Sequence, residues 1–276
     1  MSRLSSSSSA KLEKRGILIE ELRQNSFVYI PSSSLGDFVD VGNSAMAEVQ
    51  QLIRNEAVAQ RDGEDRPVYP HKRSIVSHFS PEHRSSGDMH SIEHIDPTTV
   101  GDPSLIRVHK AWPLNSDTNE ALSALRSFIF DLLSAVVPRE EEKKDFRAMQ
   151  TGYSVTNDRG KDGDPGPEGV HQDSADLTAI FLMARENVQG GTNRIWTLDQ
   201  PCGKSTPEDL DSGRLLMEVT METPLDCVIL LDRRVKHEVT CIVPITATPA
   251  IRDVLTFEVR RKNESTDVDF RQTVQA

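Results

Sequence analysis

Apolar positions follow a helical period in the first half of the chain and a strand period in the second. Lys11–Arg23 sets Leu12, Ile17, Ile19 and Leu22 among charges, which predicts a short amphipathic helix interrupted only by Gly16. Ser26–Ile30 follows as a strand stopped by Pro31. Leu35–Gln60 predicts a helix with Met46, Val49, Leu52 and Ile53 on one stripe. The clearest helix is Thr118–Val137, with Leu122, Leu125, Ile129, Leu132 and Leu133 on its apolar face. Asp117 is its expected N-cap, Glu120 completes a capping-box pattern, and Pro138 ends it. Between the helices, Asp62–Asp102 is polar and holds one strand, Ser74–Phe79; Leu105–Trp112 is another.

Beyond Phe146 the apolar runs shorten. Strands are expected at Arg147–Thr156, Leu177–Arg185, Arg194–Leu198, Leu215–Met221, Leu225–Leu231, Val235–Val243 and Ile251–Arg260. Asn157–Glu168 has a turn composition, and Gly190-Gly191 reads as a hairpin turn rather than a phosphate loop because no helix follows it. This order predicts one α+β domain over residues 11–261, with a helical layer packed on a β-barrel built from about 146–260. The Ser-rich residues 1–10 are expected to be a disordered leader, and the polar tail 262–276 is expected to fray.

Net charge narrows the partners. The chain of 276 residues carries 43 acidic against 32 basic side chains, a balance of −11 that argues against nucleic acid and anionic membranes. No apolar run approaches the ~20 residues needed to span a bilayer. The start lacks the apolar segment of a secretory signal, and its serines are expected to form a leader rather than an organelle-targeting peptide. Cys202, Cys227 and Cys241 follow no metal or disulfide spacing, as expected of thiols in the reducing cytoplasm. The pattern does not speak to oligomeric state.

Candidate chemistry gathers in the strand half. His171 and Asp173 stand two apart on an extended chain, so their side chains share a face. His237 falls on the Val235, Val239 and Cys241 side of its strand, which should face the interior, leaving Lys236, Glu238 and Thr240 to water. An inward histidine of this kind is either bonded to a backbone carbonyl or a ligand. Two histidines and one carboxylate, with coordination positions left open, suit a non-haem Fe(II) centre. On the last strand, Ile251, Leu255, Phe257 and Val259 form the face expected to pack under the helices, which turns Arg252, Val254 and Thr256 into the barrel. Inside, the Arg252 guanidinium needs a carboxylate, either from the chain or from a ligand. His71, His78, His83, His90 and His94 share the polar region without a ligand spacing and read as loop histidines; Ser80–Asp102 is a candidate lid.

Four strings then resemble a known family in order: Glu168-Gly169-Val170-His171-Gln172-Asp173, Arg185 to Gly191, Leu231 to His237, and Arg252-Asp253-Val254-Leu255. Together they resemble the 2-oxoglutarate/Fe(II) dioxygenases of the bacterial L-isoleucine 4-hydroxylase type, over roughly Phe146–Arg260. The resemblance implies a double-stranded β-helix (a jelly roll, or cupin-like barrel) with iron held by His171, Asp173 and His237. It implies that Arg252 binds the distal carboxylate of 2-oxoglutarate, with Thr256 adding a hydrogen bond. It also implies the use of O2 to hydroxylate a free amino acid or similar small zwitterion, with 2-oxoglutarate converted to succinate and CO2. Halogenases similar to this family lack the carboxylate at the position of Asp173, so its presence favours hydroxylation.

Around this set, Asp232 and Asp176 are the nearby acceptors for the outer imidazole N–H groups, and Arg185-Glu186-Asn187 is placed at the barrel rim. Tyr153 is expected as an aromatic pocket wall and Arg107 as a partner for a substrate carboxylate. Two alternatives stay open: the same iron site carrying out desaturation or oxidative cyclisation, and a catalytically silent jelly-roll binding module.

Overall fold

The computed structural model describes residues 6–61, 72–79, 94–96, 107–111, 119–137, 146–157, 163, 165–166, 168–173 and 175–261. The N-terminal half supplies α1 (Ser6–Asn25), β1 (Phe27–Ile30), α2 (Ser32–Leu35), α3 (Asn43–Arg61), β2 (Lys72–Phe79), β3 (His94–Asp96), β4 (Arg107–Ala111) and α4 (Glu120–Val136). Strands dominate thereafter: β5 (Phe146–Asn157), β6 (Leu177–Glu186), β7 (Val188–Gly190) and β8 (Thr192–Trp196). A short α5 (Pro207–Leu210) precedes β9 (Leu215–Thr220), β10 (Cys227–Leu230), β11 (Lys236–Val239), β12 (Ile242–Pro244) and β13 (Ala250–Arg261). The result is an α+β arrangement whose strands pair mostly antiparallel.

Among the described residues the strands form three sheets. The largest has eight strands in the order β1-β10-β6-β13-β5-β2-β4-β3, a second joins β11-β8-β9, and β12 pairs with β7. One face of the large sheet carries Phe181, Leu255, Phe257 and Val259 against Leu22, Met46, Ile53, Leu125 and Phe128 of the helices. Phe181 and Phe257 meet edge to face at 5.9 Å. Burying each such ring stabilises the sheet-to-helix contact by roughly 1.5–3 kcal/mol. On the opposite face, Ile180, Leu182, Val228 and Val254 pack with Ile195 and Val235 from the smaller sheet side. The alternation along β13 therefore runs as expected, with the helices under one face and the other turned inward.

Several local expectations change. α1 begins at Ser6, inside the segment expected to be disordered, because burial of Leu18 and Leu22 anchors a helix that the serines can prolong. The expected helix Leu35–Gln60 breaks into α2 and α3. Gly36 and Gly42 are poor helix formers, and tight turns from Ser34 to Val39 bury Leu35 and Val39 instead. Asn119, not Asp117, caps α4: its side chain accepts from the Leu122 backbone N–H at 3.1 Å and donates to the Ala45 carbonyl at 2.9 Å. Asp117 itself lies outside the described residues.

The single strand expected over Val235–Val243 divides into β11 and β12. Its partners β7 and β8 lie in different sheets and turn at Gly191 (φ 66°), so the paired chain must turn as well. Strand β3 lies inside the expected lid, whose remainder falls outside the described residues, as do His71, His83, His90 and the tail 262–276; His78 and His94 stand in β2 and β3. No described helix is long and apolar enough to cross a membrane.

Candidate metal centre

The first histidine is set in place by backbone geometry. Gly169 has φ 67°, and a Cβ there would lie 2.3 Å from the Gly203 carbonyl carbon, so only glycine permits the approach. Val170 then pairs with Gly203, and His171 pairs with His237 by two reciprocal backbone hydrogen bonds of 3.0 and 2.9 Å. A hydrogen-bonded antiparallel pair puts both side chains on one face. Asp173, two residues on, joins them.

The three side chains converge. His171 Nε2 lies 3.3 Å from Asp173 Oδ1, and His237 Nε2 lies 3.3 Å from Asp173 Oδ2. One ligand atom from each residue falls within 4.8 Å of the others, a group that can hold a metal ion. Each outer ring nitrogen has its own acceptor. His171 Nδ1 lies 2.7 Å from the Gly169 carbonyl, and His237 Nδ1 lies 3.2 Å from Asp232 Oδ1. Acceptors at both Nδ1 atoms favour protons there and leave the Nε2 lone pairs for a metal. Asp232 is fixed in turn, its other oxygen accepting from the Ala175 N–H at 3.1 Å and its carbonyl from Gln172 at 2.7 Å. Asp176, the other expected acceptor, pairs instead with Arg233 at 2.9 Å.

Charge at the cluster favours a cation. Burial pulls the His237 imidazole down, but Asp173 and Asp232 outweigh it and raise the group to about 10. Burial likewise opposes ionisation of Asp173, yet the two histidines hold its carboxyl well below the usual range. A divalent ion would take the place these protons otherwise occupy.

The cluster lines a cavity together with Tyr153, Val155, Ile180, Arg252, Val254, Thr256 and Glu258. Arg252 is 2% exposed, and its Nε and Nη2 have no hydrogen-bond partner among the described residues. Burial, reinforced by Arg185, lowers its guanidinium to about 10 despite Asp253. A buried cation with open donors calls for an anion, and a dicarboxylate reaching from the metal cluster would meet that need. Gly191 leaves the room: a Cβ there would lie 3.0 Å from Arg252 Cδ. The residues present thus fit both a metal and a carboxylate-bearing co-substrate.

A family model of 2OG-Fe dioxygenases matches residues 105–258. The chain belongs to that family. The enzyme is a 2-oxoglutarate-dependent non-haem iron dioxygenase, an oxidoreductase using Fe(II), 2-oxoglutarate and O2. Solved structures share its fold. The Fe(II)/α-ketoglutarate-dependent dioxygenase TqaL is 18% identical at TM-score 0.70, covering 95% of this chain and 92% of that one. IDO from Bacillus thuringiensis is 15% identical at TM-score 0.64, covering 95% and 98%. A bsmA homolog from Methylobium petroleophilum PM1 is 20% identical at TM-score 0.61, covering 89% and 92%. No curated protein matches the dioxygenase by sequence.

Among the sequence-derived residues, the structure brings His171, Asp173, His237, Arg252, Thr256 and Tyr153 to one cavity. Arg107 stands in β4, separated from β5 by β2, and its side chain lies outside the described ones. Glu238, expected in water, is 5% exposed, since Ser205 donates to its carboxylate and Arg194 lies 3.5 Å away. Glu258 and Thr178 also line the cavity, and neither was singled out from the sequence. Glu258 shares the parity of Arg252 and Thr256 along β13, which is the signal that identifies it.

Proposed function

We propose that this dioxygenase hydroxylates a free amino acid or similarly small zwitterion, within a double-stranded β-helix domain acting in the cytoplasm. His171, Asp173 and His237 are the residues that would hold iron. When bound, Fe(II) with 2-oxoglutarate and O2 supplies oxidative decarboxylation to succinate and CO2, coupled to oxygen insertion at a substrate C–H bond. Arg252 clamps the distal carboxylate of 2-oxoglutarate, and Thr256, on the same face of β13, is proposed to add a hydrogen bond. Val155, Ile180 and Val254 line the same space with apolar surface, which limits water around the reacting groups. Tyr153 serves as the substrate's aromatic wall, and Arg107 is its proposed carboxylate partner.

The observation that carries this reading is the Arg252 guanidinium, its Nε and Nη2 without a hydrogen-bond partner among the described residues, in the same cavity as the His-Asp-His cluster. A silent binding module has no use for it. The narrow, partly polar cavity and the resemblance to L-isoleucine 4-hydroxylases support a small amino-acid substrate. The test is succinate release with Fe(II) and 2-oxoglutarate across a panel of amino acids, with His171→Ala as control. At least one amino acid should stimulate release, and the variant should abolish it. Failure of every amino acid would overturn the substrate class; an active variant would overturn the iron site. Product mass separates hydroxylation from desaturation or cyclisation.

A further inference from the structure

Strand β13 presents Arg252, Val254, Thr256 and Glu258 to the cavity. At about 3.3 Å per residue, Arg252 and Glu258 are attached roughly 20 Å apart along the strand. If Arg252 holds the co-substrate, Glu258 marks the end left for something else. Glu258 is 8% exposed. Arg260, half out in water, reaches one oxygen, Oε2, at 2.9 Å. Directly across the sheet, Thr178 is the register partner of Glu258. Thr178 is 2% exposed, lines the same cavity, and its hydroxyl oxygen has no hydrogen-bond partner among the described residues. A carboxylate beside a buried hydroxyl makes an acceptor-rich corner at the end of the strand away from Arg252.

We propose that Glu258 and Thr178 bind the ammonium group of the substrate. An ammonium brings one positive charge and three N–H donors, which match a carboxylate and a hydroxyl acceptor. A substrate carboxylate would be repelled from Glu258, so the two ends of a zwitterion are told apart and the molecule is oriented over the metal cluster. The electrostatics agree: burial, then the charges of Asp173 and Asp232, push Glu258 up to about 7 although Arg260 pulls it down. An arriving cation relieves that strain. The inference rests on the amino-acid reading of the pocket.

The test compares each L-amino acid that couples to succinate release with its 2-hydroxy-acid counterpart, in the wild-type enzyme, Glu258→Gln and Thr178→Val. KM is measured with Fe(II) and 2-oxoglutarate. Binding is measured separately by calorimetry on protein loaded with Zn(II) and 2-oxoglutarate, using the same pair and n-butylammonium. Glu258→Gln should weaken amino-acid binding about 10- to 100-fold and narrow the preference over the hydroxy acid by a similar factor. Thr178→Val should act in the same direction and less strongly. An unchanged preference in Glu258→Gln, with only a lower Tm, would overturn the proposal and leave Glu258 as a structural partner of Arg260. If no amino acid couples in the wild-type enzyme, the functional reading fails by itself. The ammonium site then stands if n-butylammonium binds the wild-type protein more tightly than Glu258→Gln, and falls if it does not.

Discussion

His171 and His237, remote in sequence, donate backbone N–H groups to each other's carbonyls at 3.0 and 2.9 Å. Their rings lie 4.4 Å apart, centroid to centroid. The spacing of the two imidazoles is thus set by main-chain pairing rather than by side-chain packing. Such a pair is pre-organised: the ligands need not be gathered from separate loops when a metal arrives.

Asp232 should matter to the metal through His237. It is fully buried and its Oδ1 lies 3.2 Å from His237 Nδ1. Asp232→Asn keeps the shape and removes the charge, and should weaken Fe(II) or Co(II) affinity about 10- to 100-fold in a metal titration. Unchanged affinity would assign Asp232 to holding the Ala175 backbone alone.

Arg252 should destabilise the ligand-free protein. A buried guanidinium with open donors is costly, and an apolar side chain of similar length removes the cost. Arg252→Met is expected to raise stability without co-substrate by about 1–4 kcal/mol and to abolish the thermal shift caused by 2-oxoglutarate. Thermal melts with and without 2-oxoglutarate read both effects.

Glu258 predicts a pH dependence. Its folded value of about 7 lies above the ordinary 4.5. Between those values the folded protein retains a proton that the unfolded chain releases. Stability is therefore lost as pH rises from about 4.5 to about 7, and stays lost above. In urea unfolding of the metal-free protein, Glu258→Gln should gain on the wild type as pH rises from about 4.5 to about 7, by about 1–3 kcal/mol. A difference independent of pH would contradict the assignment.

Gly169→Ala should injure the site without touching a ligand. The new Cβ would meet Gly203, and the positive φ disfavours any side chain. The expected loss is about 1–3 kcal/mol of stability, together with weaker metal binding because the Gly169 carbonyl orients His171. Urea unfolding and a metal titration check the two parts.

Side-chain alternation made much of this centre legible in the sequence. The pairing of His171 with Asp173, the inward turn of His237 and the division of β13 into a helix-facing and a cavity-facing side all follow from a period of two. Glu258 obeys the same parity but reads as an ordinary charge near the end of a strand, because the sequence does not show which charges a neighbouring sheet will cover. Glu238 departs from the expected solvent face for that reason: its strand is covered on both faces, by the cavity on one and by Arg194 and Ser205 on the other. The break between β11 and β12 depends on partner strands in two different sheets, and the reciprocal bonding of His171 with His237 depends on tertiary pairing. Neither leaves a mark in local composition.

The most direct test is to incubate the enzyme with Fe(II), 2-oxoglutarate and an amino-acid panel under 18O-labelled O2 and to weigh the products. An amino acid should gain one labelled oxygen while labelled succinate forms in step with it. Succinate formation unaffected by every amino acid, with no labelled amino acid produced, would contradict the proposed function.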